Sequence, residues 1–310
     1  MKTQIAFLNM GKMLKGGLHC HTTRSDGRVD PADCIKLHKE NGYDFLAITD
    51  HRRYNYENFA PECGVTIIPG MEFDNSLPCD RGFRCFHTVV IGPEKSEGNP
   101  YEQDQTFVSG RAPDSETYQA TLDEFHNNKN LTIYAHPQWS STPARYFEKQ
   151  KGNFAMEIWN SGSAINNEID CDAAYWDELL GQGIRIFGVA SDDGHALNHH
   201  CKGWVRVNAE NNVNAILAAL SEGKFYSSNG PELYNFSIDE TNGHLTVDCS
   251  EAVKLRIHAD RQPTRIVRAP EGATHFEYDI DLKKYSYVRI SVVDKNGKIA
   301  WANPIFLDEE

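Results

Sequence analysis

The chain has 310 residues, a formal net charge of −13 at pH 7 and the 40% apolar content of an ordinary globular protein, so it can form one large domain and a small one at roughly 100–200 residues per domain. The acidic balance, without clustered Lys and Arg, excludes a protein that binds nucleic acid electrostatically. No apolar run approaches the ~20 residues that cross a bilayer, and the first apolar run is too short for the core of a signal peptide, so we expect no membrane association.

The cysteines are scattered along the chain and form no C-x-x-C pair, so neither a zinc ribbon nor a redox motif is indicated. We therefore expect reduced thiols in a cytoplasmic protein. The eight cysteines are Cys20, Cys34, Cys63, Cys79, Cys85, Cys171, Cys201 and Cys249.

Strands and helices alternate through the first two thirds of the chain. In "DPADCIKLHKENG", Asp30 as N-cap, Pro31 at the first helical position and Gly42 as a stop predict a helix. Further helices are predicted for "ETYQATLDEFHNN", "DAAYWDELLGQG" and "NNVNAILAALSEG", the last with Val213, Ile216, Leu217 and Leu220 on one face. Strands are predicted for "DFLAITDH", "VTIIPGMEF", "FHTVVIG", "LTIYAHP", "FAMEIWN" and "IRIFGVASDD".

This alternation predicts an α/β domain with parallel strands and outer helices, in barrel or doubly wound form. The segment 92–115, rich in Gly, Pro and charge, is predicted to be a long loop of the kind that forms lids or binding loops.

The pattern changes after residues 229–231. The runs "LYNFSID", "HLTVDCS", "VKLRIHAD", "THFEYDID" and "YVRISVVDKNGKIAWANPIF" are strand-like, and the Asn296-Gly297 pair is a hairpin signal. We predict a first domain over residues 1–231 and a small all-β domain over residues 232–310.

Side chains that can bind metal recur at the ends of the predicted strands. The H-x-H in "GGLHCHTTRSDG" alone could equally be an ordinary loop, but the same positional rule repeats along the chain. In an α/β barrel the carboxyl ends of the strands share one face, so these side chains are predicted to meet there. They are His19, His21, Asp26, His51, Glu72, His87, His136, Asp193 and His195.

Imidazole and carboxylate ligands suit zinc, manganese or iron, and a carboxylate such as Glu72 can bridge two ions. Two ions can activate a bridging water and neutralise developing charge, so no serine or cysteine nucleophile is required. The ions would also attract an anionic substrate to an acidic protein.

The ordered motifs "LHCHTTRSDG", "LAITDH", "PGMEF", "AHP" and "SDDGH" resemble those of the PHP (polymerase and histidinol phosphatase) superfamily of metal-dependent phosphoesterases, over roughly residues 13–230. The tail, from "GKFYSSNGPEL" to "AWANPIF", resembles the branch of that superfamily grouped with carbaryl hydrolases.

The resemblance implies a distorted (βα)7 barrel with two or three divalent ions. It places His19, His21, Glu72 and Asp193 around the first ion, Glu72, His87 and His136 around the second, and Asp26, His51 and His195 around the third. The motif "SDDGH" has one acid more than the usual S-D-x-H, so either Asp192 or Asp193 could be the ligand; the D-x-H spacing favours Asp193.

Several residues near these motifs are candidates for other roles. Asp192 or His195 could donate a proton to the leaving group, Arg24, Arg52 and Arg53 could pair with phosphate, and Asn160 could contact substrate. Asp50 is expected to orient a neighbouring ligand. The adjacent His199 and His200 are expected at the surface, since neighbouring side chains of an extended segment point to opposite sides.

Three functions are therefore considered. The first is a phosphoesterase acting on a small phosphorylated molecule. The second is a metal-dependent hydrolase of a carboxylic or carbamic ester or amide, because the same water could attack a carbonyl. The third is a non-catalytic binding module, which predicts an eroded ligand set. The sequence does not indicate an oligomeric state.

Overall fold

The computed structural model describes residues 3–8, 13–108, 110–169, 172–260 and 264–307. Within these ranges the chain is a mixed α/β protein, and Cys171 lies outside them. No helix in the described ranges is long and apolar enough to cross a membrane.

The strands of the described ranges are β1 (Thr3–Leu8), β2 (Leu14–Gly17), β3 (Phe45–Ala47), β4 (Thr66–Ile68), β5 (Gly70–Cys79), β6 (Gly82–Ile91), β7 (Gly110–Arg111), β8 (Leu131–Tyr134), β9 (Ala155–Asn160), β10 (Phe187–Ser191), β11 (Trp204–Val207), β12 (Phe225–Ser228), β13 (Leu233–Asp239), β14 (His244–Ala259), β15 (Arg265–Asp279), β16 (Tyr287–Val293), β17 (Ile299–Ala302) and β18 (Ile305–Phe306). The α-helices are α1 (Pro31–Glu40), α2 (Ser115–Asn127), α3 (Ala144–Phe147), α4 (Ser161–Asn167), α5 (Ala173–Gly181) and α6 (Val213–Ser221). Short 3-10 helices cover Pro61–Cys63, Lys95–Glu97, Leu197–His199 and Leu282–Lys284.

The predicted helix signals are confirmed in α1. The Asp30 carboxylate accepts the Ala32 backbone N–H at 2.9 Å, Pro31 occupies the first helical position, and the chain leaves the helix through Gly42 at φ +77°. A proline tolerates this position because its missing N–H would have no helical partner. Helix α6 likewise buries the apolar face predicted for it.

The described strands form two sheets. One has the order β1-β13-β14-β16-β17-β12-β11-β2-β3-β4, with β15 beside β14 and β18 beside β16; the other has the order β10-β9-β8-β6-β5-β7. Parallel pairing holds for β2-β3-β4 and β8-β9-β10, as the strand-helix alternation predicts.

The closed seven-stranded barrel implied by the resemblance is not present among the described strands. The β5–β6 hairpin is antiparallel, so it interrupts the βα repeat. Isolated backbone bridges, including Cys20 to Gly194 and His51 to Glu72, connect the two sheets. Predicted metal ligands lie at both bridges. His19, His21, Asp193 and His195 flank the first bridge, and His51 and Glu72 form the second.

The C-terminal part consists of strands, as predicted, with one correction. The runs "HLTVDCS" and "VKLRIHAD" form the single strand β14, because pairing with β15 continues past an irregularity between Asp248 and Ala252. The predicted turn before β17 contains Gly297 at φ +80°, a backbone conformation that favours glycine.

This C-terminal part shares a sheet with the first part. Strand β12 pairs with β17 in antiparallel fashion. The buried Asn303 side chain accepts the Gly188 N–H at 3.1 Å and donates to the Phe225 carbonyl at 3.0 Å. Strand β1, at the start of the chain, pairs with β13. The division at residue 231 therefore falls within a continuous sheet, and the two-domain boundary stays a prediction.

The loop predicted between β6 and α2 packs against the first domain. Asn99 and Tyr101 are buried, and the Asn99 amide donates to the Tyr54 hydroxyl at 2.8 Å. The Phe107 N–H donates to the Arg52 carbonyl at 2.9 Å. These contacts hold the loop beside the segment that carries His51.

An ion pair fixes β16 against α5. The Arg289 side chain is 1% exposed, donates to both Asp177 oxygens at 2.7 and 2.6 Å, and lies over the Trp176 ring.

We predict that Arg289→Met lowers the free energy of unfolding by about 3 kcal/mol, because it leaves the Asp177 carboxylate without its cation. Urea denaturation measures this loss. The Asp177→Asn and Arg289→Met double variant should lose less than the sum of the two single losses; additive losses would show that the pair contributes nothing specific.

Candidate metal centre

The first group of donors joins the H-x-H pair to two carboxylates. His21 Nε2 lies 3.2 Å from Glu72 Oε2 and 3.1 Å from Asp193 Oδ1. His19 Nε2 lies 3.4 Å from each of the same two oxygens. All donor atoms of this group lie within 4.8 Å of one another. Four side chains distant in sequence therefore surround one small space.

The second group shares the Glu72 carboxylate. Glu72 Oε1 is 3.0 Å from His87 Nδ1 and 3.1 Å from His136 Nε2. Because Oε2 faces the first group and Oε1 the second, Glu72 is placed to bridge two ions.

The third group lies at the outer edge. Asp26 Oδ2 is 3.5 Å from His51 Nε2, and Asp26 Oδ1 is 3.4 Å from His195 Nε2. His21 Nδ1 lies 3.6 Å from Asp26 Oδ1, so His21 faces both the first and the third group. The structure thus brings together all nine predicted ligands; their binding of metal stays a prediction.

Strand ends and sharp corners position these donors. His19 and His21 follow β2, His136 follows β8 and Asp193 follows β10. His136 and Asp193 adopt left-handed backbone angles, with φ of +28° and +48°. This conformation is unfavourable for residues other than glycine, and such residues concentrate at functional sites.

Glu157 on β9 holds the inner ligands. Its Oε1 accepts from His19 Nδ1 at 2.7 Å and from the Ser191 hydroxyl, and its Oε2 accepts the His136 backbone N–H at 2.9 Å. A carboxylate on the far nitrogen of a histidine fixes the ring so that the near nitrogen faces the metal. Glu157 lies in the middle of β9, so the strand-end rule does not reveal this role.

Asp50 and Asn160 also act on neighbouring groups. Asp50 accepts the Thr22 N–H at 2.8 Å and the Ser25 hydroxyl at 2.6 Å, which ties down the loop between His21 and Asp26. Asn160 is fully buried, and its amide donates to Glu157 at 2.9 Å and to Asp193 at 3.2 Å. These contacts give Asn160 a positioning role and leave its predicted substrate contact without geometric support.

The structure separates the two adjacent acids. Asp193 faces His19 and His21, whereas the Asp192 carboxylate accepts the backbone N–H groups of residues 201, 202 and 203 at 2.6, 2.9 and 2.8 Å. Asp192 therefore holds the following loop. It does not line the cavity of the metal centre, so the geometry does not favour the proton-donor role considered for it.

The expected surface location of His199 and His200 is wrong, because both side chains are buried. The 3-10 helix over Leu197–His199 folds this segment back onto the domain. His199 lines the wall of the central cavity, and its Nδ1 accepts the His195 backbone N–H at 3.4 Å. His200 lies outside the cavity lining and outside the three donor groups.

A cavity of about 540 Å³ opens over the three groups. A second cavity of about 470 Å³ adjoins it and shares Asp26 and His51. The first is lined by the donors Asp26, His51, Glu72, His87, His136, Asp193 and His195 and by Arg28, Trp139, Gly162, Ser163, Asn166, Asn167, Ala196, Asn198 and His199. This is the volume of a small-molecule site.

The predicted phosphate-binding arginines line the second cavity. Arg24 pairs with Asp104, and Arg52 Nε lies 3.2 Å from Asp74 Oδ1. Arg28, which sequence analysis missed, is exposed at the mouth of the first cavity and has no ion pair within the described residues. Its place two residues after Asp26 in the loop "SDGR" was the available signal.

Charge in the site is strongly coupled. Although burial opposes protonation, the carboxylates of Asp193, Glu157 and Glu72 raise the pKa of His19 well above its usual range. Although burial opposes ionisation, His19 and His87 hold the pKa of Glu72 well below its usual range.

The same coupling extends to the outer histidines. Against the opposing effect of burial, the nearby Asp26 and Asp74 carboxylates raise the pKa of His51 to about 10. The Glu72 carboxylate likewise raises the pKa of His87 to about 10, although burial alone would lower it. In the metal-free protein, protons on the imidazoles therefore compensate the buried carboxylates.

Metal ions fit these residues. His51 Nδ1 and Asp193 Oδ1 are buried and form no hydrogen bond, although each has an oppositely charged atom 3.1 Å away. Short separations without hydrogen-bond alignment show that the atoms point into a shared space. The donors are nitrogen and oxygen atoms of the kind that bind zinc, manganese and iron.

Comparison with solved structures shows a likeness along the whole chain. A two-domain protein from Bacteroides vulgatus, described as containing a predicted PHP-like metal-dependent phosphoesterase, is 14% identical with a TM-score of 0.52, and 98% of each chain is covered. At this identity the likeness concerns the fold.

Two further structures resemble part of the chain. A Bifidobacterium adolescentis protein, assigned by inference as a metal-dependent phosphoesterase, is 13% identical with a TM-score of 0.43, covering 66% of this chain and 95% of its own. A Chromobacterium violaceum amidohydrolase with bound sulfate is 13% identical with a TM-score of 0.41, covering 59% of this chain and 88% of its own.

No curated protein matches the chain. The PHP domain family matches residues 17–226, which include every predicted ligand. The chain therefore belongs to the PHP domain family.

Proposed function

We propose that this protein is a metal-dependent phosphoesterase that hydrolyses a small phosphorylated substrate. The observation that carries the proposal is the joining of three donor groups through Glu72 and His21 beneath one cavity. Membership of the PHP domain family supports a metal-dependent hydrolase. A binding module that had lost catalysis would be expected to have lost some of these donors, and all nine are present.

Two or three ions of zinc, manganese or iron would be held by the three groups. His19, His21, Glu72 and Asp193 would hold the first, Glu72, His87 and His136 the second, and Asp26, His51 and His195 the third. When bound, such ions supply a deprotonated water and stabilise the charge that develops on the substrate.

The protein side chains provide orientation and exclusion of water. Glu157 fixes His19, and Asn160 holds the Asp193 carboxylate. His19, His21 and Glu72 are almost fully buried, so their charges act in a medium where electrostatic interactions are strong. The ligands are thus preorganised, and little reorganisation is needed during the reaction.

His195 is the candidate to donate a proton to the leaving group. It lines the cavity and its side chain is 32% exposed, which gives it access to substrate. Its Nδ1 donates to the Asp193 carbonyl at 2.9 Å, which fixes the ring with Nε2 toward Asp26. This role requires that His195 is free of metal at that step.

Arg28 is the candidate to recognise the phosphate. A guanidinium presents two parallel N–H donors that match two phosphate oxygens, and Arg28 lies at the cavity mouth without a competing carboxylate. The alternative substrates, carboxylic and carbamic esters or amides, would gain less from this group because they carry no dianionic oxygens.

A substrate screen tests the proposal. The protein, loaded in turn with zinc, manganese and iron, is assayed against phosphomonoesters, phosphodiesters, aryl esters and carbamates. We expect phosphoester turnover that a chelator abolishes. Ester or carbamate turnover without phosphoester turnover would contradict the substrate class, and no turnover of any compound by metal-loaded protein would contradict the enzyme.

We predict that Glu72→Gln lowers the metal content by at least one ion per chain and the phosphoesterase rate by at least about 100-fold, since a bridging carboxylate serves two ions. Elemental analysis and turnover measure the two effects; wild type should hold at least two ions. His199→Gln, a change in the cavity wall outside the donor groups, should keep the wild-type metal content. Loss of metal in His199→Gln together with wild-type metal content in Glu72→Gln would show that the ligand assignment is wrong.

We predict that Arg28→Ala raises KM for the phosphorylated substrate by about 10- to 100-fold with a smaller change in kcat, because a charge-assisted hydrogen bond contributes about 1.5–3 kcal/mol. Arg28→Lys should recover part of the loss. An equal KM in wild type and Arg28→Ala would remove this residue from substrate recognition.

We predict that the melting temperature of the metal-free protein falls as pH rises from about 6.5 to 10. A histidine whose pKa is raised by folding stabilises the folded state below its unfolded value of about 6.5 and loses that contribution as pH passes its folded value, which is about 10 for His51 and His87. Calorimetry with and without chelator measures the slope.

Metal-loaded protein should show a shallower slope, because the ions and not the protons then neutralise the carboxylates. The His51→Gln variant should also flatten the slope of the metal-free protein. A melting temperature in chelator that is constant over this range would contradict the coupling of these histidines to the buried carboxylates.

A further inference from the structure

A second cluster of metal-ligating side chains lies behind the metal centre. Successive side chains of an extended segment point to opposite sides, and Cys20, between His19 and His21, contacts helix α1: its Sγ is 3.9 Å from Cys34 Sγ. Helix α1 also carries His38, one turn after Cys34. The segment after Asp193 brings His200 to the same place.

The donor atoms of this cluster are close together and inaccessible. Donor atoms of Cys34, His38 and His200 all lie within 4.8 Å of one another. Cys34 Sγ is 3.6 Å from His38 Nδ1, and the two imidazole rings meet edge to face with centroids 5.5 Å apart. Cys34 and His38 are 0% exposed and His200 is 2% exposed.

The imidazoles in this cluster have unused nitrogen atoms. His38 Nδ1 donates to the Cys34 carbonyl at 2.8 Å, and its Nε2 has no hydrogen-bond partner. Neither ring nitrogen of His200 has a partner. Buried polar atoms are nearly always satisfied in native proteins, so three unpartnered nitrogens at one point favour a bound cation there.

The neighbouring carboxylate does not satisfy these nitrogens. Asp192 Oδ2 lies 3.7 Å from His38 Nε2, beyond hydrogen-bond distance. The same carboxylate already accepts three backbone N–H groups. It nevertheless supplies negative charge beside the cluster, which favours a cation there.

We propose that Cys34, His38 and His200 bind a separate ion of the zinc class. Thiolate and neutral imidazole are the ligand types of structural zinc sites, and such sites are closed to solvent. Binding forms a bond from the metal to Cys34 Sγ and releases the thiol proton to solvent. Cys20 Sγ, 3.9 Å from Cys34 Sγ, is a candidate for a fourth position.

The ion fastens helix α1 to the loop that follows Asp193. Histidines that bind metal commonly donate their other nitrogen to a backbone carbonyl, which is the arrangement of His38. The ion is a structural one, because its ligands have no access to the substrate cavity. It also differs in kind from the ions of the metal centre, whose predicted ligands are nitrogen and oxygen atoms only.

The experiment uses cobalt in place of zinc, because a thiolate bound to cobalt gives a near-ultraviolet charge-transfer band that nitrogen and oxygen ligands do not give. The full-length metal-free protein is titrated with cobalt. We expect this band in wild type. The Cys34→Ser variant should lack the band and should bind one cobalt ion per chain fewer than wild type. His200→Gln should weaken the band strongly. Glu72→Gln should lose cobalt from the metal centre and keep the band.

Two cysteine controls locate the thiolate. Cys85→Ser tests a thiol next to His87 in the metal centre, and Cys249→Ser tests a buried thiol in the C-terminal sheet; both should keep the band. Wild type without the band at full cobalt content, a band that persists in Cys34→Ser, or a band lost in Cys85→Ser would each overturn the proposal.

If Cys34→Ser does not fold, X-ray absorption at the zinc edge of wild-type protein decides. We expect a sulfur neighbour at about 2.3 Å from part of the bound zinc. A spectrum with only nitrogen and oxygen neighbours in protein that holds its full zinc content would overturn the proposal.

Discussion

The Glu72 carboxylate is a buried charge that the rest of the site has to compensate. It is 1% exposed. One ring nitrogen from each of four histidines lies 3.0 to 3.2 Å from one of its two oxygens; these are His21, His51, His87 and His136. An uncompensated carboxylate in such surroundings would be strongly unfavourable. His21 and His51 follow strands of one sheet, whereas His87 and His136 lie in or after strands of the other, so compensation of one charge ties the two sheets together.

Much of the local structure could be predicted from the sequence. Asp30, Pro31 and Gly42 mark the ends of α1 through backbone hydrogen bonding and permitted φ angles, which depend on neighbours in the chain. Seven of the nine donors follow the parallel strands β2, β3, β8 and β10, so strand polarity places them at one edge, whereas Glu72 and His87 lie inside the antiparallel β5–β6 hairpin. Both kinds of inference need only local geometry.

The remaining features depend on contacts between distant segments. The fate of His200 is set by its packing against Gly194 and His38, where an added Cβ at Gly194 would lie 2.4 Å from the ring. The division of labour between Asp192 and Asp193 follows from the left-handed turn at Asp193, which aims adjacent carboxylates in different directions. The two sheets are likewise connected by isolated backbone bridges, and no periodic pattern in the sequence predicts where such bridges form.

The pairing of β12 with β17 has a consequence for how such a chain can have arisen. A domain joined only by a linker can be gained, lost or exchanged between genes as a cassette. Here, loss of the tail would remove the hydrogen-bond partner of β12 and leave a sheet edge open to pairing with other chains. Recombination that separated the two parts would therefore favour aggregation, so the first part of the chain and its tail are expected to be inherited as one unit.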